Sequence, residues 1–362
     1  MAPPAARLLH PGAWWLWALS LAYAAMRTTN PVLLVTIAAV AGLVVAARRV
    51  RAPWARAFGM LLRLGLLAIV ITVLLQVVVG FRTHGHVLFR LPSVPLPHWT
   101  AGLSLGGPVT AESLLNAFDA GLRLAVLITC FGAANSLAHP ARLVRILPAA
   151  LYEVGVAVVV AMTFVPQLAE ATVRVRMAQR LRGRPLTGLR GVRGLVVPVL
   201  EESLERAIRL AASMDSRGYG RRADQPLWMR RVTGGLVLVG LGGAIAGAYQ
   251  VIDASSDHRR GVAVLVGGTA VAVAGAMLAG RRVNRTRYRP DPWGWPEWFV
   301  VACGLAAAAS YRGFVHDPVN AGLPLAWPAL PVLPFLATLV AALPAYATPA
   351  IPATSHPRPG FA

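Results

Sequence analysis

Two short runs in this chain end alike. One is Met177-Ala178-Gln179-Arg180-Leu181-Arg182-Gly183, and the other is Ala212-Ser213-Met214-Asp215-Ser216-Arg217-Gly218-Tyr219-Gly220. Arg182 and Arg217 stand 35 residues apart, each followed by Gly. A guanidinium at a helix C-terminus presents a planar fork of donors, suited to a carboxylate or backbone carbonyls on a partner. An Arg followed by Gly is also ordinary helix capping. Two matched endings in one segment are less ordinary, and the pattern serves docking on a protein partner or binding of lipid headgroups.

Two amphipathic helices must position these ends. Leu168, Ala171, Val175 and Ala178 are spaced 3, 4 and 3 apart, one helix face, and Arg182 falls at the next i+4 position. Gly183 and Pro185 then stop the helix. A second helix is expected to start near Pro198, a good first-turn residue. Glu201, Glu202 and Glu205 suit its early turns, where the helix dipole favours negative charge. Glu202–Arg206 and Glu205–Arg209 are i,i+4 pairs in the favourable order. Its apolar stripe is Leu200, Leu204, Ala207, Ile208, Ala211 and Met214, with Arg217 three residues on. An apolar face leading to an Arg fits the helix-in-groove mode of docking.

Composition sets the surroundings. Of 362 residues, 56% are hydrophobic and only 14% charged, against roughly 25% charged in soluble domains. With a mean hydropathy of +0.60, this is a membrane protein. All 35 basic residues are Arg and the net charge is +21. Without Lys the chain cannot house a P-loop or a Schiff-base site, so an ATP-driven function must take its ATPase from another chain. Cys130 and Cys303 lie far apart in apolar stretches and suggest neither a disulfide framework nor a metal site. Ala22-Tyr23-Ala24 offers a signal-cleavage pattern, but we read the N-terminus as uncleaved and leading into the first span.

Crossing a bilayer takes about 20 apolar residues. The candidate stretches are 14–26, 32–47, 61–79, 121–138, 147–165, 234–251, 262–279, 299–311 and 325–345. Thr28-Thr29-Asn30-Pro31 is a turn between the first two. Arg48, Arg49, Arg51 and Arg56 place the loop after the second stretch in the cytoplasm by the positive-inside rule. The segment 81–120 then lies outside. If 147–165 crossed, segment 166–231, with 14 Arg against 6 acidic residues, would land outside, which the rule disfavours. Stretch 147–165, which contains Pro148 and Glu153, is therefore expected to be a buried or membrane-surface helix that does not cross. Trp293, Trp295 and Trp298 are expected at an interface.

Arg123 near the start of a span invites a functional reading, but Asp119 at i−4 makes a local pair near the interface the plainer one. His84-x-His86 is too sparse for a metal site. No hydrolase, metalloprotease or paired-carboxylate pattern is present, and the Arg content is explained by cytoplasmic loops rather than nucleic-acid binding.

The two motif runs resemble the paired Ala-Arg-Gly motifs of the transmembrane (T) component of energy-coupling factor transporters (cobalt transport protein Q-like), with Leu181 and Ser216 standing at the leading Ala. The resemblance extends to Leu9-His10-Pro11, to Thr110-Ala111-Glu112-Ser113-Leu114 followed by Gly121-Leu122-Arg123-Leu124, and to Phe164-Val165-Pro166, covering about residues 9–222. It implies an all-α, polytopic integral membrane protein with a cytoplasmic module of amphipathic coupling helices. The expected division is 1–138, a four-span region; 139–231, the coupling module; and 232–362, further spans. Arg182, Gly183, Arg217 and Gly218 would dock two ABC-type ATPase subunits, supported by Ala178, Gln179, Met214, Ser216 and Tyr219. A membrane-embedded S component would bind the cargo, a vitamin or metal ion. ATP and Mg would be held by the ATPases, with no cofactor and no catalysis in this chain. A bacterial plasma membrane location with the N-terminus and coupling module cytoplasmic follows. The alternative is a self-sufficient secondary transporter or channel with a lipid-binding basic loop.

Overall fold

The computed structural model describes residues 9–48, 57–79, 86–92, 94–95, 104–138, 142–143, 152–183, 188–218, 227–253, 257–280, 293–313 and 330–349. We number its longer helices α1 (Pro11–Met26), α2 (Pro31–Arg48), α3 (Ala57–Val78), α4 (Ala111–Leu137), α5 (Tyr152–Leu181) and α6 (Gly188–Ser216). There follow α7 (Leu227–Ile252), α8 (His258–Gly280), α9 (Trp295–Ser310), α10 (Val332–Val340) and α11 (Pro344–Ala347). Four short strands, β1 (Val87–Arg90), β2 (Val94–Pro95), β3 (Ser104–Leu105) and β4 (Pro108–Thr110), precede α4. Among the described residues, 6 helices are long and apolar enough to cross a membrane: α2, α3, α4, α5, α7 and α8. The protein is an all-α, polytopic membrane protein.

The chain divides into two compact units, Met1–Arg142 with Pro290–Ala362, and Leu143–Arg289. In the first, His10 caps α1, its Nδ1 accepting from Gly12 N at 3.2 Å, with Pro11 at the first helical position. The Thr28–Asn30 turn forms as expected. Asn30 Oδ1 accepts from Val32 N at 3.0 Å, and Thr28 Oγ1 accepts from Asn30 N at 3.1 Å.

Helices α1 and α9 run parallel. His10 N donates to Glu297 Oε1 at 3.4 Å at their starts, and Arg27 Nη2 reaches Arg312 O at 3.5 Å at their ends. Glu297 is fully buried and also closes the capping box of α9 through Gly294 N. Each helix has 16 residues, about 24 Å long. Trp17, Leu21, Val300 and Ala307 lie in their common core. Helices α3 and α4 pack antiparallel, Gly65 against Ala125 and Gly121 against Ile69. A Cβ on Gly121 would sit 2.9 Å from Ile69 Cα, so the close approach needs glycine.

Several expectations change here. Within segment 81–120, for which the sequence suggested no regular structure either way, β1 pairs with β4 and β2 with β3, both antiparallel. Thr110 then caps α4 through Ser113 N, and Glu112 accepts from His86 N at 2.9 Å. Because α4 starts at Ala111 rather than near 121, Arg123 lies in its fourth turn and not at a span start. The Arg123 charge acts on Asp119 at i−4, and Arg123 Nε is buried without a hydrogen-bond partner among the described residues. The described part of the stretch 325–345 is broken into two short helices. It begins at 330, and α10 is 9 residues long, followed by a turn and α11. Arg48 ties this region to α2, donating through Nε to Ala345 O at 2.8 Å and through Nη1 to Pro349 O at 2.9 Å.

In the second unit α7 and α8 form a tight antiparallel hairpin. Gly240 faces Ala272, Gly247 faces Leu265 and Gly268 faces Ala244, each too closely for a side chain. Without Cβ atoms the two backbones approach as small residues allow between membrane helices.

Candidate functional site

The two motif runs are the C-terminal ends of α5 and α6. Helix α5 is a single helix of 30 residues with Pro166 inside it. The stretch expected to end before Pro166 and the first motif helix are thus continuous; residues 147–151 lie outside the described ones. Proline costs one backbone bond, and such breaks are tolerated in apolar helices. Helix α6 starts at Gly188, ten residues before the expected start at Pro198.

A contact from the other helix accounts for Pro198 within α6. Lacking an N–H, Pro198 leaves the Gly194 carbonyl without its i+4 donor. The Gln179 side chain of α5 donates to that carbonyl, Nε2 to O, at 3.3 Å, and Gln179 is buried at 8% exposure. The sequence reading placed Gln179 among the supporting residues; its hydrogen bond appears only when the helices meet.

Further polar contacts extend the seam. Arg174 Nη2 donates to Glu202 Oε1 at 2.7 Å, and Arg206 Nη2 donates to the same oxygen at 2.9 Å. Arg206 Nη1 donates to Gln167 Oε1 at 3.2 Å. The expected Glu205–Arg209 pair also forms, at 3.1 Å on an exposed face. Gln179 meets Gly194 and Gln167 meets Arg206, so α5 and α6 run antiparallel. Arg174 and Gln167 were missed by sequence reading. The signal was their spacing on the same face as Ala171, which is 2% exposed.

The apolar faces are arranged differently from expectation. On α5, Leu168 and Val175 are half-buried and Ala171 is buried, but Ala178 is exposed and Gln179 takes the next seam position. On α6, Leu200, Leu204 and Ile208 are 60%, 64% and 60% exposed, while Met214 is half-buried. The α6 stripe exists but points away from α5. Val173, Met177 and Leu181 likewise point outward from α5.

Both ends close in the same geometry. Gly183 has φ +66° and Gly218 φ +75°, the left-handed C′ conformation glycine adopts without a Cβ penalty. Arg182 N donates to Ala178 O at 3.1 Å and Gly183 N to Arg180 O at 3.0 Å; Arg217 N donates to Met214 O at 3.1 Å and Gly218 N to Asp215 O at 2.9 Å. Arg182, Arg217 and Ser216 are exposed. Tyr219 lies outside the described residues. With 1.5 Å of rise per residue and antiparallel packing, the two ends stand on the order of 35 Å apart. The structure does not bring Arg182 and Arg217 together; it presents them at opposite ends of one helix pair.

The sequence profile of the cobalt transport protein family, CbiQ, matches residues 5–227. The energy-coupling factor transporter transmembrane protein EcfT of Exiguobacterium sibiricum is 34% identical over 118 residues, 29% of this chain and 44% of that protein. EcfT of Streptococcus thermophilus is 28% identical over 149 residues, 39% of this chain and 54% of its own length. EcfT of Lactobacillus helveticus is 27% identical over 149 residues, covering 38% and 51%. The chain spans about half the length of the curated relatives it matches.

Proposed function

Because this chain belongs to the CbiQ cobalt transport protein family and is a transmembrane component of the energy-coupling factor type, we propose that it is the scaffold through which ATP-driven motion reaches a cargo-binding membrane subunit. Two exposed Arg-Gly ends at opposite extremes of one antiparallel helix pair carry this conclusion. Each guanidinium, held at a rigid helix terminus, docks one of two cytosolic ATPase subunits through charge-assisted hydrogen bonds. The outward stripes Val173–Met177–Leu181 and Leu200–Leu204–Ile208 supply apolar surface beside the docking ends. With no Lys in the chain, ATP and Mg belong to the partners. Residues 1–138 and 232–362 supply membrane spans, residues 139–231 form the coupling module, and the S component selects the vitamin or metal ion.

Packing and charge bear on the orientation. Helices α3 and α4 and helices α7 and α8 are antiparallel pairs, and α1 turns directly into α2. Each pair returns the chain to the side from which it left. Helices α1 and α9 pack in parallel, so both start on one side. Helix α6 carries eight charged residues and is not among the candidate spans. Helix α5 is long and apolar enough to cross; we assign it with α6 to the coupling module because the two share one polar seam. We read both motif helices as cytoplasmic from the Arg-rich segment they belong to, by the positive-inside rule.

Purification in mild detergent tests docking. The wild-type chain carries two ATPase subunits, and the Arg182→Glu/Arg217→Glu variant loses them. Each lost charge-assisted bond costs roughly 1.5–3 kcal/mol, about tenfold or more in affinity. A wild-type chain that purifies alone, or a double variant that keeps its ATPases, overturns the proposal.

A further inference from the structure

Glu202 sits where the two motif helices are joined by charge. Its Oε1 accepts from Arg174 of α5 at 2.7 Å and from Arg206 of α6 at 2.9 Å. Arg206 also reaches back across the seam to Gln167 of α5 at 3.2 Å. One carboxylate thus neutralises two guanidiniums that face each other from different helices. The larger aliphatic side chains nearby, Val173 and Met177 on α5 and Leu200 and Leu204 on α6, point outward at 60% exposure or more. The apolar grip across the seam falls to small or half-buried residues such as Ala171, Leu168 and Val199. Apolar contact is non-directional and sets register weakly over so narrow a strip. Charge-assisted bonds to a planar guanidinium are directional. Gln179 on the Gly194 carbonyl fixes the other end of the seam.

We infer that Glu202 is a positioning residue that locks α5 and α6 into one rigid lever, so that displacement at one Arg-Gly end is transmitted to the other. This rests on the coupling role proposed above. Without the carboxylate, Arg174 and Arg206 repel across the seam and the helices slide or splay. The ends then move independently, although neither docking Arg has changed.

The test uses the full-length chain in detergent, with Cys130 and Cys303 replaced by Ala and spin labels on cysteines introduced at the exposed positions Arg180 and Ser213. The label-to-label distance distribution reports the separation of the two ends. The parent should give one narrow distribution. Glu202→Gln and Arg174→Glu should each broaden it, and the combined R174E/E202R chain, which restores opposite charges across the seam, should narrow it again. R182E/R217E should leave the distribution unchanged while releasing the ATPases. An unchanged distribution in Glu202→Gln overturns the inference, and so does a combined chain that stays as broad as the single variants. If no ATPase co-purifies with the wild type, the docking proposal fails, whereas the distances still decide whether Glu202 fixes the seam.

Discussion

At the scale of single residues, the two motif glycines have a role separate from their arginines. Their positive φ values let each helix stop within one residue and leave the preceding Arg exposed. An Ala there adopts a left-handed conformation at a cost of about 1–2 kcal/mol. Gly183→Ala should therefore weaken ATPase co-purification by roughly fivefold or more, at the exchange rate of about 1.4 kcal/mol per tenfold. Gly183→Asn, which tolerates that conformation, should bind nearly as well as wild type. Equal loss in both variants would show that the glycine serves something other than backbone geometry. The arginine pair itself was legible in the sequence, because an Arg-Gly ending is a local signal. The partners of Glu202 and Gln179 were only half legible. Glu202–Arg206 is an i,i+4 pair, whereas Arg174 lies 28 residues away and meets Glu202 only through helix packing.

Among the elements, helix existence was readable and helix limits were not. Apolar runs and flanking charges announced α2, α3, α7 and α8 closely. Both prolines misled. Pro166 and Pro198 read as boundaries, yet each lies inside a helix, and for Pro198 the vacated carbonyl is satisfied from α5. The α7–α8 hairpin offers an element-scale test. Gly268 lies against the Ala244 backbone, whereas nothing stands within 4 Å of a Cβ at neighbouring Gly267. Gly268→Leu should splay the hairpin, costing about 1–3 kcal/mol as overpacking does, and lower the melting temperature in detergent. Gly267→Leu should leave it unchanged. Equal effects in the two variants would rule out the close seam as the reason for the glycine.

Across the whole molecule, topology links the observations. The Arg-rich segment 166–231 and the proposed docking on cytosolic ATPases both require the motif helices to face the cytoplasm. Single-cysteine labelling with a membrane-impermeant maleimide in intact cells checks this. Asp257→Cys, at the exposed start of α8, should label from outside. Ser213→Cys, exposed near the end of α6, should label only after permeabilisation. Labelling of Ser213→Cys in intact cells would reverse the orientation and remove the docking ends from any cytosolic ATPase.

Hydropathy and charge, being sums over local sequence, were enough to determine that this is a polytopic membrane protein, which loops are basic, and that two helices end in exposed-type Arg-Gly turns. Packing decided what local sums do not contain. It joined 152–181 into one helix, turned the Leu200–Leu204–Ile208 stripe away from α5, set Arg123 deep within α4, and placed Arg182 and Arg217 at opposite ends of a seam tied by Glu202. The physical reason is the range of the interactions involved. A helix forms from bonds four residues apart, whereas a seam is chosen by which side chains, tens of residues apart, can satisfy one another's charges and orphaned carbonyls.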